Sequence, residues 1–188
     1  MTDTLNVLTI CGSLRKGSYN AALLRMAPKL APPSLAFHAA PSFAEMPIYN
    51  FDQQGAGWPA SVTALADAIR AADGILIASP EYNWTIPGGL KNAIDWVSRL
   101  KEQPFAGKPI AVQSAAGGLL GGSRMQYHLR QSLTSLDVHW FGRPEVIVTF
   151  AAQKFDAATL ELKDQGAIDM IKTQLAGFEK FIRMVRGK

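Results

Sequence analysis

A loop that follows the first apolar run of the sequence has the residues to bind an anion. Residues 12–20 leave the apolar run Leu5–Cys11 and enter an amphipathic segment. Backbone N–H groups in the first turn of a helix attract negative charge, and the guanidinium of Arg15 can pair with phosphate oxygens. The loop matches neither G-x-x-x-x-G-K-[ST] nor G-x-G-x-x-G, which argues against an ATPase, a GTPase or a pyrophosphate ligand and favours a terminal monophosphate. A plain turn in which Ser18 caps the helix remains the alternative.

Two further loops could complete such a site. Residues 80–89 place Tyr82, Asn83 and Trp84 between prolines, an arrangement that suits contact with a planar heterocycle. Residues 114–122 contain two glycine pairs, which let the backbone approach a ligand closely. Aromatic residues also anchor protein contacts, and glycine pairs also form flexible connections, so neither loop is decisive by itself. Together, the three loops predict a pocket for a monophosphate joined to a flat ring.

Composition limits the class of protein. The chain has 188 residues, of which 48% are hydrophobic and 18% are charged, and its formal net charge is +4. These fractions argue against a disordered chain and fit one domain over residues 1–188. Lysine and arginine are dispersed, which argues against nucleic acid, and no segment is long and apolar enough for a bilayer. Cys11 is the only cysteine, no zinc-like spacing occurs, and residues 1–4 lack a basic signal region, so we expect a cytoplasmic protein without metal.

The elements that must position these loops alternate between short apolar runs and longer amphipathic segments. Helices are predicted at 20–30, 60–72, 87–100, 123–136 and 164–185, while 41–59 is expected to be irregular. Strands are predicted at 5–11, 34–39, 74–79, 108–114 and 138–150, the last with a break at Arg143-Pro144. This alternation predicts an α/β fold, a doubly wound five-stranded parallel sheet with helices on both faces and the flavodoxin-like order 2-1-3-4-5. The three loops then follow strands one, three and four and meet at one edge of the sheet.

At this level of detail the sequence resembles a known family. The motifs Gly12-Ser13-Leu14-Arg15 and Pro80-Glu81-Tyr82-Asn83, with segment 87–96, are similar to those of the NADPH-dependent FMN reductase family. Segment 121–131 resembles its chromate and quinone reductase branch. The resemblance implies a flavodoxin-like fold, non-covalent FMN, and reduction of quinones, chromate or free flavin by NAD(P)H through ping-pong hydride transfer. It also implies a homodimer or homotetramer.

The resemblance also implies roles for particular residues. No catalytic side chain is expected, because FMN would carry the chemistry, and the three histidines, His38, His128 and His139, are expected to be structural. Two departures from the family pattern are the missing hydroxyl groups at Ala115 and Ala116 and a tryptophan, Trp84, where tyrosine is frequent. The implied FMN contacts are Ser13, Leu14, Arg15, Lys16, Gly17, Ser18, Tyr19 and Asn20 at the phosphate, Pro80, Glu81, Tyr82, Asn83 and Trp84 at the ring, and Ala116 and Gly117 on its other side.

Subunit contacts and alternative functions complete the expectations. The helix after the third loop is polar on several faces, which a solvated surface would explain. The resemblance implies instead a subunit contact in which Glu81 or Glu145 pairs with Arg124, close to Tyr127. A flavodoxin-type electron carrier is the main alternative, although Arg15 and the positive net charge disfavour it. An azoreductase with other acceptors and a nucleotide-binding regulatory module without redox activity are further alternatives.

Overall fold

A computed structural model describes residues 3–187 of the chain, and Met1, Thr2 and Lys188 lie outside the described residues. The segment 1–4, which was expected to lack a basic signal region, therefore lies partly outside the described residues. The strands are β1 Leu5–Cys11, β2 Leu35–Ala39, β3 Gly74–Ala78, β4 Pro109–Ala115, β5 His139–Trp140 and β6 Val146–Val148. The helices are α1 Tyr19–Leu30, α2 Phe51–Ala56, α3 Ala60–Ala71, α4 Gly88–Val97, α5 Ser123–Thr134, α6 Ala151–Lys154 and α7 Gln165–Val185.

The sheet has the predicted strand order. Its strands are all parallel and run β2-β1-β3-β4-β5, which confirms the flavodoxin-like α/β fold. β3 and β4 are buried along their whole length, as expected for central strands covered on both faces. Helices α1 and α7 pack over one face, and α3, α4 and α5 pack over the other. Each face therefore has its own apolar core.

The fifth strand differs from its prediction. The sequence predicts one strand over 138–150 with a break at Arg143-Pro144, and the structure contains two short strands, one on each side of that break. β5 pairs with Pro109 and Ile110 of β4, whereas β6 pairs with β4 from Gln113 to Ala115. A proline has no N–H to donate to a strand ladder, so the pairing stops and resumes beyond it. The edge of the sheet is consequently one interrupted strand along β4.

Two short helices were not expected. Segment 41–59 was predicted to be irregular, yet it contains α2, whose first turn is capped by the Asn50 side chain accepting from the Asp52 N–H at 2.9 Å. α6 occupies four residues and begins shortly after β6, with Thr149 and Phe150 between them. Both are too short to show a helical hydrophobic period, which is why the pattern missed them. Across residues 3–187, the structure has no helix whose length and apolarity would allow it to cross a membrane.

Candidate functional site

The three loops meet at the carboxyl edge of the sheet around a cavity of about 340 Å³. Gly12, at the start of the first loop, donates its N–H to the carbonyl of Ala78 at the end of β3, which joins two of the loops at their bases. The cavity is lined by Ser13, Arg15, Ser18, Tyr19, Asn20, Pro80, Glu81, Tyr82, Ala115, Ala116 and Gly117. The remaining residues of the expected set do not line it; these are Leu14, Lys16, Gly17, Asn83 and Trp84.

The first loop ends in an open helix N-terminus. The Ser18 side chain caps α1 by accepting from the Ala21 N–H at 3.2 Å, so the predicted capping alternative is realised. The first N–H groups of a helix have no intrahelical acceptor, and in α1 two of these groups belong to Tyr19 and Asn20, which line the cavity. Capping and anion binding are therefore compatible here: one N–H is satisfied by serine and the others remain available.

Arg15 supplies positive charge at this end of the cavity. It is the only cationic side chain among the lining residues. Its guanidinium lies over the Tyr19 ring, with 5.5 Å between the guanidinium carbon and the ring centroid. Within the described part of the chain Arg15 forms no ion pair, so its charge is free for an anionic ligand. The neighbouring Lys16 is exposed and lies outside the cavity.

The Asn20 side chain has a structural partner that was not expected. Its side-chain amide donates to the carbonyl of Ala115 at 2.9 Å, and its side-chain oxygen accepts from the Ala115 N–H at 2.9 Å. Asn20 is 2% exposed, so these bonds are buried. The amide ties the first turn of α1 to the last residue of β4, while Asn20 also lines the cavity, so its expected contact with a phosphate stays a prediction. No local pattern indicates the partner, which is 95 residues away.

The second loop folds into a tight turn. Tyr82 and Thr85 exchange backbone hydrogen bonds of 3.0 and 3.1 Å across Asn83 and Trp84. Both central residues have positive φ, 47° and 70°, as in the type I′ turn of a two-residue hairpin. Tyr82 lines the cavity, whereas the Trp84 side chain is 67% exposed and lies outside the lining. The turn therefore presents tyrosine to the cavity and tryptophan to the surface.

The Glu81 carboxylate is held by helix α5. It accepts from Nε of Arg124 at 2.8 Å and from the backbone N–H of Met125 at 3.3 Å. The N-cap residue of α5 is Gly122, which has no side chain to cap the helix. A carboxylate at a helix N-terminus is stabilised by the helix dipole, so Glu81 takes the capping role from another part of the chain.

The ion pairs of this region form within one chain, and the predicted subunit contact stays a prediction. Arg124 pairs with Glu81 of the same chain, and Glu145 pairs with Arg130 at 3.4 Å instead of with Arg124. The Arg124–Glu81 contact thus forms without a second subunit, because the turn after β3 and the start of α5 are neighbours at the same sheet edge. Tyr127 on α5 is exposed.

Helix α5 makes two further contacts to the second loop that the sequence did not suggest. The guanidinium carbon of Arg124 lies 3.9 Å from the centroid of the Trp84 ring. Nδ1 of His128 lies 2.9 Å from the Thr85 hydroxyl. Arg124 and His128 are four residues apart, so they occupy the same face of the helix. That spacing was the available signal, and it was missed because nothing local shows which loop the face meets.

The glycine pairs of the third loop have different functions. A Cβ at Gly121 would lie 2.6 Å from the Ile147 side chain, and one at Gly122 would lie 2.8 Å from Ser114, while both residues have positive φ. This pair is required by packing and not by a ligand. Gly117 lines the cavity with open space around it, as the predicted close approach of a ligand requires.

A second cavity of about 420 Å³ lies between α1, the end of β2 and the segment that follows β2. Leu14, which was expected at the phosphate, lines this cavity instead, together with Cys11. Burial raises the pKa of the Cys11 thiol, and smaller contributions from the Ser13 backbone, the Ser18 side chain and the positive charge of Arg25 only partly offset this effect. The thiol is therefore protonated at neutral pH.

Residues 3–187 contain no cluster of His, Cys, Asp and Glu that could hold a metal ion.

Comparison with known proteins gives a consistent result. The NADPH-dependent FMN reductase family matches residues 5–153. A quinone reductase of Escherichia coli (strain K12) is 50% identical over 187 residues, which cover 99% of this chain and 100% of that protein. An NAD(P)H-dependent FMN reductase of Pseudomonas aeruginosa is 46% identical over 187 residues and the full length of both chains. Among solved structures, the flavoenzyme NAD(P)H:(acceptor) oxidoreductase FerB from Paracoccus denitrificans superposes with a TM-score of 0.83 at 32% identity, covering 98% of each chain.

Proposed function

The chain belongs to the NADPH-dependent FMN reductase family, and we propose that it is an NAD(P)H-dependent oxidoreductase that binds FMN non-covalently and reduces quinones. One observation carries this proposal. A single cavity at the switch point of the sheet combines an unpaired arginine, Arg15, with the open N-terminus of α1 and an aromatic side chain, Tyr82. Full-length relatives named quinone reductase and FMN reductase support it.

The donor set fits the phosphate of FMN. A phosphate monoester carries up to two negative charges and accepts several hydrogen bonds, and the Arg15 guanidinium with the N–H groups of Tyr19 and Asn20 offers both charge and donors. Glu81, the carboxylate in the lining, is already paired with Arg124, so its charge does not oppose the phosphate. We infer that Arg15 orients the ligand and that the Asn20–Ala115 hydrogen bonds hold the floor beneath it.

The other end of the cavity fits a flat ring. Tyr82 and Pro80 of the second loop offer apolar surface, and Ala116 and Gly117 of the third loop line the same cavity. The N–H of Gly117 has no partner among residues 3–187, so it is available to an acceptor atom of the ring. Bound FMN would supply the redox chemistry, taking a hydride from NAD(P)H and passing electrons to the acceptor. The protein would supply position, a backbone donor and restricted access for water.

Finer features of the activity follow as proposals. Nicotinamide and acceptor would occupy the same open side of the cavity in turn, which predicts ping-pong kinetics. Chromate and free flavin are proposed as further acceptors, because a cavity mouth beside Arg15 admits anions. A cytoplasmic location is proposed because the one cysteine of the chain, Cys11, is a free thiol, as is usual in reducing compartments. A homodimer or homotetramer is proposed from the exposed apolar side chains of Leu119, Leu120 and Tyr127.

The visible spectrum of the purified protein, recorded with and without added FMN, tests the proposed function. We expect stoichiometric FMN binding, bleaching on addition of NADH or NADPH, and recovery of the oxidised spectrum on addition of a quinone. Initial rates at several fixed quinone concentrations should give parallel double-reciprocal lines. Binding of FMN without NAD(P)H oxidation would favour an electron carrier, preference for azo compounds would favour an azoreductase, and a protein that refuses FMN would overturn the proposal.

A further inference from the structure

The turn at the tip of the second loop is held from outside by one face of α5. Four contacts join them: Glu81 with Arg124, Glu81 with the Met125 N–H, the Trp84 ring with the Arg124 guanidinium, and the Thr85 hydroxyl with His128. They reach the residue before the turn, the middle of the turn and its end. Arg124 is the only residue of α5 that takes part in two of them.

The turn needs such support because its own backbone is unfavourable. Asn83 and Trp84 both have positive φ, a region that tryptophan rarely adopts because its Cβ approaches the following carbonyl. Inside the turn, backbone hydrogen bonds join only Tyr82 and Thr85. A two-residue hairpin of this size is not stable by itself in water. Contacts from α5 must therefore offset the strain.

The contacts of Arg124 are strong enough for this task. At 3.9 Å from the ring centroid, its guanidinium is well inside the range at which a cation attracts an aromatic face. The Glu81 side chain is 10% exposed, so solvent screens this ion pair less than an ordinary surface pair. The same guanidinium thus donates to a carboxylate through Nε and lies over an indole ring, a combination that lysine cannot reproduce.

We propose that Arg124 is a positioning residue for the proposed reaction: it fixes the turn of residues 82–85, and with it Tyr82 at the cavity mouth, so that nicotinamide and quinone can reach the cavity. The inference rests on the proposed function for its kinetic consequence. Arg124 does not line the cavity, so its loss would change access to the site and not the contacts with the phosphate. His128 holds the far end of the same turn.

The first experiment uses the protein without FMN. Hydrogen exchange of the peptide spanning residues 80–87 is measured by mass spectrometry in the wild type, Arg124→Gln and Arg124→Lys. We expect exchange in this peptide to become about tenfold faster in Arg124→Gln, because a cation–π contact and an ion pair are lost together. Arg124→Lys should be intermediate, since its charge can still pair with Glu81. Arg70→Gln, which removes the surface pair with Asp67, is the matched control and should not change this peptide.

The second experiment separates positioning from a general loss of structure. In FMN-loaded Arg124→Gln, KM for the quinone should rise about tenfold through the loss of those two contacts, while FMN affinity stays within about twofold of wild type. When Trp84→Phe is already present, Arg124→Gln should raise KM for the quinone by a smaller factor. Unchanged exchange and unchanged KM in Arg124→Gln would overturn the inference. A rise in KM accompanied by an equal loss of FMN affinity would also overturn the inference, because it would indicate a general structural role for Arg124. If the wild type fails to bind FMN, the proposed function fails, and the exchange experiment still decides whether Arg124 fixes the turn.

Discussion

The first and second loops border the same cavity, but different kinds of contact hold them in place. The first loop is anchored by neutral, buried hydrogen bonds between Asn20 and the Ala115 backbone. The second loop is anchored by charged and aromatic contacts between Glu81, Trp84 and Arg124 that are partly open to solvent. Salt and pH weaken exposed charged contacts far more than buried neutral ones. We therefore interpret the phosphate side as a rigid base and the ring side as an adjustable wall.

The largest expected effect is on the rigid base. Asn20→Ala leaves the N–H and carbonyl of Ala115 buried without partners, which should reduce the free energy of unfolding by about 2–4 kcal/mol. Urea denaturation of the protein without FMN measures this change. Asn50→Ala, which removes the exposed cap of α2, is the control and should cost about 1 kcal/mol. If Asn20→Ala and Asn50→Ala lowered the free energy of unfolding equally, the buried hydrogen bonds of Asn20 would stabilise the protein no more than an exposed helix cap does.

The next effect concerns ligand binding at the same base. Arg15→Ala should weaken FMN binding about 10- to 100-fold, since a hydrogen bond to a charged group contributes about 1.5–3 kcal/mol. Lys16→Ala is the matched comparison, because it removes the same charge from a side chain outside the cavity, and should change affinity much less. Fluorescence titration with FMN measures both. Flavin affinity that is the same in Arg15→Ala as in the wild type contradicts the phosphate assignment.

A smaller effect is expected on the adjustable wall. Glu81→Gln removes the charge that pairs with Arg124 and caps α5, and should lower the free energy of unfolding by about 1 kcal/mol. Because the contact is charged, 1 M salt should reduce the difference between variant and wild type. Glu45→Gln, an exposed glutamate, should have no measurable effect. A salt-independent loss in Glu81→Gln would mean that the wall is held by the same kind of contact as the base.

The smallest effect is expected at Cys11, beneath the first loop. Burial raises its thiol pKa, so at pH 8 a smaller fraction is thiolate than in the unfolded chain. Alkylation by iodoacetamide should therefore be slower in the folded protein than in urea, and its rate should continue to rise above pH 9. Cys11→Ser should alter FMN affinity less than about twofold, because the side chain lies outside the proposed FMN cavity. Fast alkylation of the folded protein would show that the base is more open than its burial suggests.

The parts of the fold that were predicted correctly are those with local signals. The apolar runs of β1, β3 and β4, the polar turns after them and the five main helices can be recognised within windows of about ten to fifteen residues. Within 138–150 the predicted break at Arg143-Pro144 is confirmed, whereas the bounds of the two short strands were not predicted, because they depend on pairing with β4. Helix α2 was missed because six residues are too few for a period to be visible.

The sequence by itself determined the alternation of strands and helices, the loops that follow the strands and the residue types in those loops, because hydrophobic period and turn chemistry are local properties of the chain. The strand order followed from the doubly wound fold class that this alternation predicts. Only the tertiary structure decided which partner each polar side chain takes. The Asn20 side chain forms hydrogen bonds with the Ala115 backbone, 95 residues away, and the Glu81 carboxylate pairs with Arg124, 43 residues away. No local pattern encodes these choices, since they depend on which buried groups would otherwise lack a hydrogen-bond partner once the sheet has formed.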